Sequence, residues 1–477
     1  MSTIFKKLNN YKNITTMLSN KGYLLPKTKL EQYEILKLKN DLSVCPIING
    51  KEQYSERFFI YRESETRFRI PRFYGILNFG VPSQNNTYDG ISIDVDFCGT
   101  LNTKTSQPDA CKQCISRLHC HGGGILSLGT GFGKTTCALY ILAALKRKTI
   151  IIVHKNFLMN QWVERIKQFL PTASIGILQG SKADIHNKDI VIAMLQSLCM
   201  KEYPPNFFDS FGFTIIDEAH HIGSKVFSQA LFNVCTKYIL GLSATPTRKD
   251  GLTKVLNWFV GDIIFEASRK NQTHVQVYPI RIYEFADEKV PLNVSMKLNL
   301  PEVINIICNN SNRNKKILNI IQECLAQHRK IIILSDRRKH CEYLCETIQK
   351  NLPVEKTAGL YIGQMKPYEL KENEQCDVIF ATYSFACEGL DIPSLNTLIL
   401  ATPKTDIIQS IGRILRETGE KTHSPKIYDL IDHFGPLCNM YQKRLKTYKS
   451  LKIDIVDSAQ KLETKTTKKG FIFKKED

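Results

Sequence analysis

The sequence predicts an α/β chain: two tandem parallel-sheet domains behind an N-terminal accessory domain. Three observations carry that expectation. From about residue 123, short apolar runs of strand length alternate with amphipathic runs of helical period. The alternation pauses near 266–310 and then restarts. The first apolar run also passes into a glycine-rich stretch and then a helical pattern, which reads as strand, tight loop, helix. The expected boundaries are 1–95 for the accessory domain, 96–268 and 269–450 for the two sheets, and 451–477 for a basic tail.

Residues 1–95 contain no catalytic motif, and lysines dominate early (Lys6, Lys7, Lys12, Lys21, Lys27, Lys29). The run from Arg67 to Tyr74 interleaves arginine with aromatics. It suits either a strand with one buried face or a surface that lies along a nucleic-acid backbone and stacks on bases. Val81 to Asn86 is rich in turn formers and marks a boundary loop. Cys111, Cys114, His119, Cys120 and His121 could ligate zinc. They fall within one short window, however, where zinc sites usually join two knuckles, and Gln107–Leu118 reads as a helix.

Buried strands follow at Thr149–Val153, Asp189–Ala193, Phe213–Asp217 and Tyr238–Pro246, with an amphipathic helix at Asn156–Phe169. Continuous apolar strands alternating with helices mean a parallel sheet covered on both faces. The second series has strands at Lys330–Ser335, Cys376–Thr382 and Thr397–Ala401, and a helix at Arg338–Lys350.

At 477 residues the chain exceeds one core. Its 65 basic and 46 acidic side chains leave a net charge of +19, which favours an acidic polymer as partner. No apolar run approaches 18 residues, so no membrane span is expected. The N-terminus lacks a signal peptide's apolar core. Fifteen scattered cysteines fit buried thiols in a reducing compartment.

The chemistry begins at Ser127-Leu128-Gly129-Thr130-Gly131-Phe132-Gly133-Lys134-Thr135. Glycines let backbone N–H groups converge on phosphate oxygens, and the following helix N-terminus adds positive potential. Lys134 suits the β- and γ-phosphates of ATP and Thr135 suits Mg²⁺. Leu128 stands where the strict phosphate-loop pattern has glycine. A second stretch, Phe213 to His220, ends an apolar strand in adjacent carboxylates. There Asp217 suits the metal and Glu218 the attacking water. Arg413 and Arg416 share a helix face in the second series, as either surface ion-pairing residues or a pair aimed at a γ-phosphate.

In order, residues 129–135, Asp-Glu-Ala-His at 217–220, Ser-Ala-Thr-Pro at 243–246, Glu-Gly-Leu-Asp at 388–391 and Gln-x-x-Gly-Arg-x-x-Arg at 409–416 resemble a superfamily 2 helicase of the DEAH-box type. Residues 241–251, Asn160-Gln161-Trp162 and Arg313-Asn314 look like its DNA-dependent branch, nearest to the transcript-release helicases of poxviruses and other large DNA viruses and to related repair and transcription helicases.

The resemblance implies two RecA-like domains and ATP with Mg²⁺ as cofactors. It assigns catalysis to Lys134, Asp217, Glu218, Arg413 and Arg416, and the metal to Thr135 and Asp217. Nucleotide contacts fall to Gly129, Thr130, Gly131, Phe132, Gly133, Lys134, Thr135 and Thr136, with Gln107 where an adenine-binding glutamine stands. Coupling to the polymer falls to His220, Ser243, Thr245, Asp391 and Gln409. Polymer-backbone contacts are implied near His154-Lys155, Gln196-Ser197, Ser335 with Arg337, and Thr382. DNA is the expected partner, with RNA and a switch-only scaffold as alternatives, alongside a transcription-machinery partner. A viral protein of this kind is expected in the host cytoplasm or virion.

Overall fold

The computed structural model describes residues 15–456 except 49–50, 54–55, 104, 130, 246, 249, 268–274, 286–288, 294–297, 391, 393, 415–422 and 436. It divides into two compact units, Met1–Ser268 and Arg269–Asp477.

In the first unit, β1 (Met17–Ser19), β2 (Gly22–Pro26), β3 (Arg62–Glu63), β4 (Arg67–Ile70) and β5 (Gln84–Asn86) form a small sheet in the order β3-β4-β2-β1-β5. In β4, Phe68 and Ile70 are fully buried while Arg67 is exposed. Of the run Arg67–Tyr74, the first four residues form a strand with one buried face, and a helix, Arg72–Phe79, starts after Pro71. The small sheet does not close a core alone. Leu18, Tyr23, Leu25, Phe68 and Ile70 share one buried cluster with Ile125, Ile150 and Ile152 of the larger sheet.

That larger sheet comprises β6 (Gly123–Leu128), β7 (Thr149–Val153), β8 (Ile175–Gln179), β9 (Lys182–Ala183), β10 (Ile190–Met194), β11 (Phe213–Ile216), β12 (Tyr238–Ser243) and β13 (Ile263–Ala267). Its order is β9-β8-β10-β7-β11-β12-β6-β13. Every pairing is parallel except β8 with β9. The strands read as unbroken apolar runs because both faces are covered: Ile150 and Ile152 enter one core, Ile151 and Val153 the other.

Three helices of this unit matter to the site: α1 (Gln107–His121), α2 (Lys134–Leu145) and α3 (Asn156–Phe169). Cys111 and Cys114 are on the buried face of α1, and Cys111 Sγ lies 3.8 Å from the Cys137 carbonyl; Cys120 is exposed. The described cysteines are free thiols.

The second unit contains β14 (Gln276–Ile282), β15 (Ile331–Ser335), β16 (Ala358–Tyr361), β17 (Val378–Thr382), β18 (Thr397–Leu400), β19 (Lys426–Asp432) and β20 (Asp454–Ile455). They form a wholly parallel sheet in the order β16-β17-β15-β18-β19-β14-β20. Ile331 and Ile333 point into one core, Ile332 and Leu334 into the other. Within the stretch expected as a basic tail, Asp454–Ile455 add an edge strand beside β14. The lysine-rich stretch 461–475 lies outside the described residues.

A polar knot holds this unit together at α4 (Ser311–Ala326). Arg313 is fully buried and grips Asp432 with Nε to Oδ1 at 2.6 Å and Nη2 to Oδ2 at 3.0 Å; Nη2 also donates to the Ala401 carbonyl at 2.7 Å. Beside it, Asn314 donates to the Cys308 carbonyl and meets His340 Nε2 at 2.9 Å, while His340 Nδ1 lies 3.0 Å from Ser335 Oγ. Burial, aided by the Arg313 charge, pushes His340 down to about 3, so it stays neutral.

Arg313→Ala would leave Asp432 buried and unpaired, at a cost of roughly 3–5 kcal/mol to the second unit. Urea unfolding followed by a probe in that unit measures it; a loss under about 1 kcal/mol would contradict the paired-charge account.

Candidate active site

In a parallel sheet, ligands gather beyond the carboxyl ends of the strands. The phosphate loop, the acidic pair and the Ser243 motif all lie at such ends, as does His154. Gly129 follows β6, His154 follows β7, Asp217 follows β11, and β12 ends at Ser243. Since β12 separates β6 from β11, the loop and the acidic pair face each other across a single strand.

The loop is set by backbone geometry. Gly131 and Gly133 take φ of 84° and 77°, a region that suits glycine. A side chain at Gly133 would collide with Gln107, whose Nε2 would sit 2.4 Å from its Cβ. Lys134, Thr135 and Thr136 open α2, so their backbone N–H groups have no partner within the helix. Lys134 Nζ donates to the Leu128 carbonyl at 3.1 Å. Leu128 itself is the buried last residue of β6, which accounts for an apolar side chain where the strict pattern has glycine. Phe132 packs partly against the core, and Thr130 lies outside the described residues. Gln107, nearly buried, uses its amide locally: Nε2 donates to the Phe132 carbonyl at 2.8 Å, and Oε1 accepts from Asn102 N at 2.8 Å. It braces the loop.

The acidic pair is held more tightly than its sequence shows. Asp217 N donates to the Ile152 carbonyl at 3.0 Å, tying the strand tip to β7. The carboxylate accepts from Trp162 Nε1 at 2.9 Å and from Glu218 N at 3.0 Å. Burial and the neighbouring Glu218 charge raise the Asp217 carboxyl above the usual carboxylate range, against the Trp162 hydrogen bond and the Lys134 charge. Glu218 adopts φ 47° and ψ 52°, a left-handed conformation costly for a side-chain-bearing residue. Its Oε2 is buried without a hydrogen-bond partner among the described residues, with His220 Nδ1 at 3.4 Å.

From there a polar relay runs to β12. His220 Nδ1 lies 3.2 Å from Ser243 Oγ, and Ser243 Oγ accepts from Thr245 N at 3.2 Å. The structure thus brings together Glu218, His220, Ser243 and Thr245. Tilted imidazole contacts continue from His220, with ring centroids 4.4 Å apart for His220–His221 and 4.1 Å for His221–His154. Gln196 Nε2 donates to the His154 carbonyl at 3.1 Å, and Ser197 Oγ accepts from Gly180 N at 2.9 Å.

Trp162 is the site residue whose task the sequence did not disclose. It was legible only as part of a three-residue motif, whereas its indole is buried on α3 and aimed at a carboxylate 55 positions away.

In the second unit Ser335 is fully buried and anchors its turn through His340 and Arg337 N, so its hydroxyl faces inward. Gln409 and Arg413 belong to the helix Ile408–Ile414, but their side chains, like Asp391 and Arg416 entirely, lie outside the described residues.

Comparison with known proteins agrees with this arrangement. Residues 100–248 match the family of the type III restriction enzyme res subunit, and residues 312–418 match the helicase conserved C-terminal domain. The chain is 35% identical over 430 residues to an Acanthamoeba polyphaga mimivirus protein named as an ATP-dependent RNA helicase, covering 88% of this chain and 82% of that one. It is 30% identical over 392 residues to a protein of Invertebrate iridescent virus 6 named as a helicase, covering 78% and 85%. An African swine fever virus protein named as an ATP-dependent RNA helicase is 25% identical over 352 residues, 69% of each chain. With two RecA-like domains in order and a mimivirus relative covered over four-fifths of its length, the chain belongs to the superfamily 2 helicases, is similar to those of large DNA viruses, and is an ATP-hydrolysing nucleic-acid helicase.

Proposed function

We propose that the chain is a DNA helicase or translocase, with Lys134, Thr135, Asp217 and Glu218 as its hydrolytic centre. The observation that carries the catalytic assignment is the half-buried carboxylate pair. Asp217 and Glu218 stand adjacent at one strand tip, with Glu218 Oε2 lacking a hydrogen-bond partner among the described residues. Two such carboxylates fit a cation and a water molecule better than they fit an ordinary acidic turn.

The residues also fit Mg²⁺: the Thr135 hydroxyl and the Asp217 carboxylate are hard oxygen donors, and Asp217 is short of compensating charge. When bound, the ion would neutralise charge on the β- and γ-phosphates. The glycine loop and the α2 N-terminus orient the phosphates, and Lys134 leaves the Leu128 carbonyl to reach them. Glu218 orients the attacking water through Oε2 and draws on its proton. Trp162 keeps Asp217 facing the loop. Through His220, a change at Glu218 reaches Ser243 and Thr245, the route by which hydrolysis is coupled to polymer grip. For Arg413 and Arg416 a role at the phosphates rests on the resemblance alone.

DNA as the polymer is supported by the restriction-enzyme family matched over the first domain. RNA is the second reading, favoured by the names of two viral relatives. The same viral relationship leads us to propose service in transcription, in the host cytoplasm or virion.

Steady-state hydrolysis measured without polymer and with single-stranded DNA, duplex DNA and RNA should show stimulation by DNA. Lys134→Ala should lower it by about 10²-fold or more while polymer binding persists. Equal stimulation by RNA would transfer the proposal to RNA, and normal turnover in the variant would remove Lys134 from the centre.

Asp217 gives a second test, through pH. Its folded-state pKa is raised, so the folded chain binds this proton more tightly than the unfolded chain does. Ionising it therefore costs stability as pH rises from about 4 through the raised value. In thermal melts without divalent cation, Asp217→Asn should gain stability relative to wild type across that interval, and added Mg²⁺ should narrow the gap. A pH-independent difference would contradict the assignment.

A further inference from the structure

A second cleft, of about 640 Å³, opens in the first unit, and none of the residues lining it belongs to the phosphate loop, the acidic pair or the Ser243–Thr245 relay. One wall is the small N-terminal sheet, contributing Lys21, Arg62 and Arg69; the other is the segment after the helix Leu195–Met200, contributing Lys201 and Tyr203. Glu202 and Asp209 also line it, and the Asp209 carboxylate accepts from the Asn20 amide.

Strand register creates an electrostatic conflict here. β3 and β4 are antiparallel, and Arg62 is the direct partner of Arg69. Like charges placed opposite each other across a strand pair are destabilising. Both guanidinium groups lie 5.4 Å from the centroid of the same ring, Phe232, so both are crowded onto one floor. Among the described residues neither forms an ion pair with a carboxylate; Glu63, next in sequence, is taken by Lys27 and Lys39. Arg69 uses Nε on the Lys21 carbonyl, leaving the terminal nitrogens of its fork for another acceptor. Burial and the Arg62 charge push Arg69 down to about 10. A pair of arginines kept together without an acid is an anion site awaiting its anion.

We propose that this cleft is a second nucleic-acid grip, in which Arg62 and Arg69 clamp one phosphodiester of the polymer while Lys21 and Lys201 hold its neighbours. A +19 chain acting on a polyanion supplies the ligand class. The grip deepens the nucleic-acid reading above and rests on it. Its residues lie on the N-terminal sheet and on the segment after Leu195–Met200, outside the hydrolytic centre, so it holds the polymer without ATP.

The test uses the full chain and a fluorescein-labelled single-stranded oligonucleotide, with anisotropy titrated across a salt series in the absence of nucleotide. Arg62→Glu is the informative variant because Arg62 is exposed on an edge strand and the new carboxylate would pair with Arg69, preserving the fold. It should weaken binding about tenfold and flatten the slope of log K against log salt by about 1–2. Thermal stability should hold or rise, and polymer-free ATP hydrolysis should be unchanged. Wild-type affinity and slope in Arg62→Glu, with Lys201→Ala behaving the same way, would overturn the grip. A wild-type chain that binds no polymer at all would instead overturn the nucleic-acid reading beneath it.

Discussion

Two carboxylates side by side at the end of a buried strand are the constraint on which the first domain depends. Asp217 and Glu218 emerge from Phe213–Ile216, every residue of which is buried, into a region where burial and the adjacent Glu218 charge disfavour ionised Asp217. The surroundings meet that difficulty in part. Trp162 and the Glu218 backbone N–H hold Asp217, while His220 approaches Glu218. The remainder is left open, and an incompletely satisfied acidic pair facing a glycine loop and a lysine is what the proposed nucleotide and metal would complete. The left-handed backbone at Glu218 belongs to the same arrangement: it spends conformational energy to turn a carboxylate back over the strand end.

Parallel topology makes the rest possible. Because β6, β7, β11 and β12 all run the same way, their carboxyl ends form one edge, and short turns there deliver loop, imidazole, carboxylates and hydroxyl to a common place. The relay Glu218–His220–Ser243–Thr245 needs no long-range rearrangement to connect adjacent strands, since β11 and β12 are hydrogen-bonded neighbours. The second domain repeats the architecture with its own two cores, stabilised at α4 by Arg313 and Asp432.

Much of this was legible in the sequence, for physical reasons. Runs such as Thr149–Val153 announce strands buried on both faces, and the helix Asn156–Phe169 follows from its period alone. The phosphate loop and acidic pair are local, so their residue types suffice to find them. What the sequence could not disclose is what depends on pairing at a distance. Trp162 reads as a core aromatic until the fold sets its indole against Asp217. The Arg67–Tyr74 run is ambiguous until Phe68 and Ile70 are seen sharing a core with Ile125 and Ile152, and the opposition of Arg62 to Arg69 exists only once strand register is known. The same limit explains why Gln107 reads as a base-contacting residue in sequence, whereas its folded neighbours occupy it in bracing Phe132.

The most direct test of the central claim separates binding from chemistry at Glu218. Glu218→Gln keeps the shape and the neighbours but removes the charge proposed to orient and deprotonate water. Single-turnover hydrolysis of radiolabelled ATP, read beside equilibrium binding of a fluorescent ATP analogue with Mg²⁺, is the measurement. The account predicts nucleotide affinity within a few-fold of wild type and a hydrolysis step slowed by about 10²–10⁴-fold. Hydrolysis at the wild-type rate in the glutamine variant would contradict it and move the water-activating role away from the strand-end carboxylate pair.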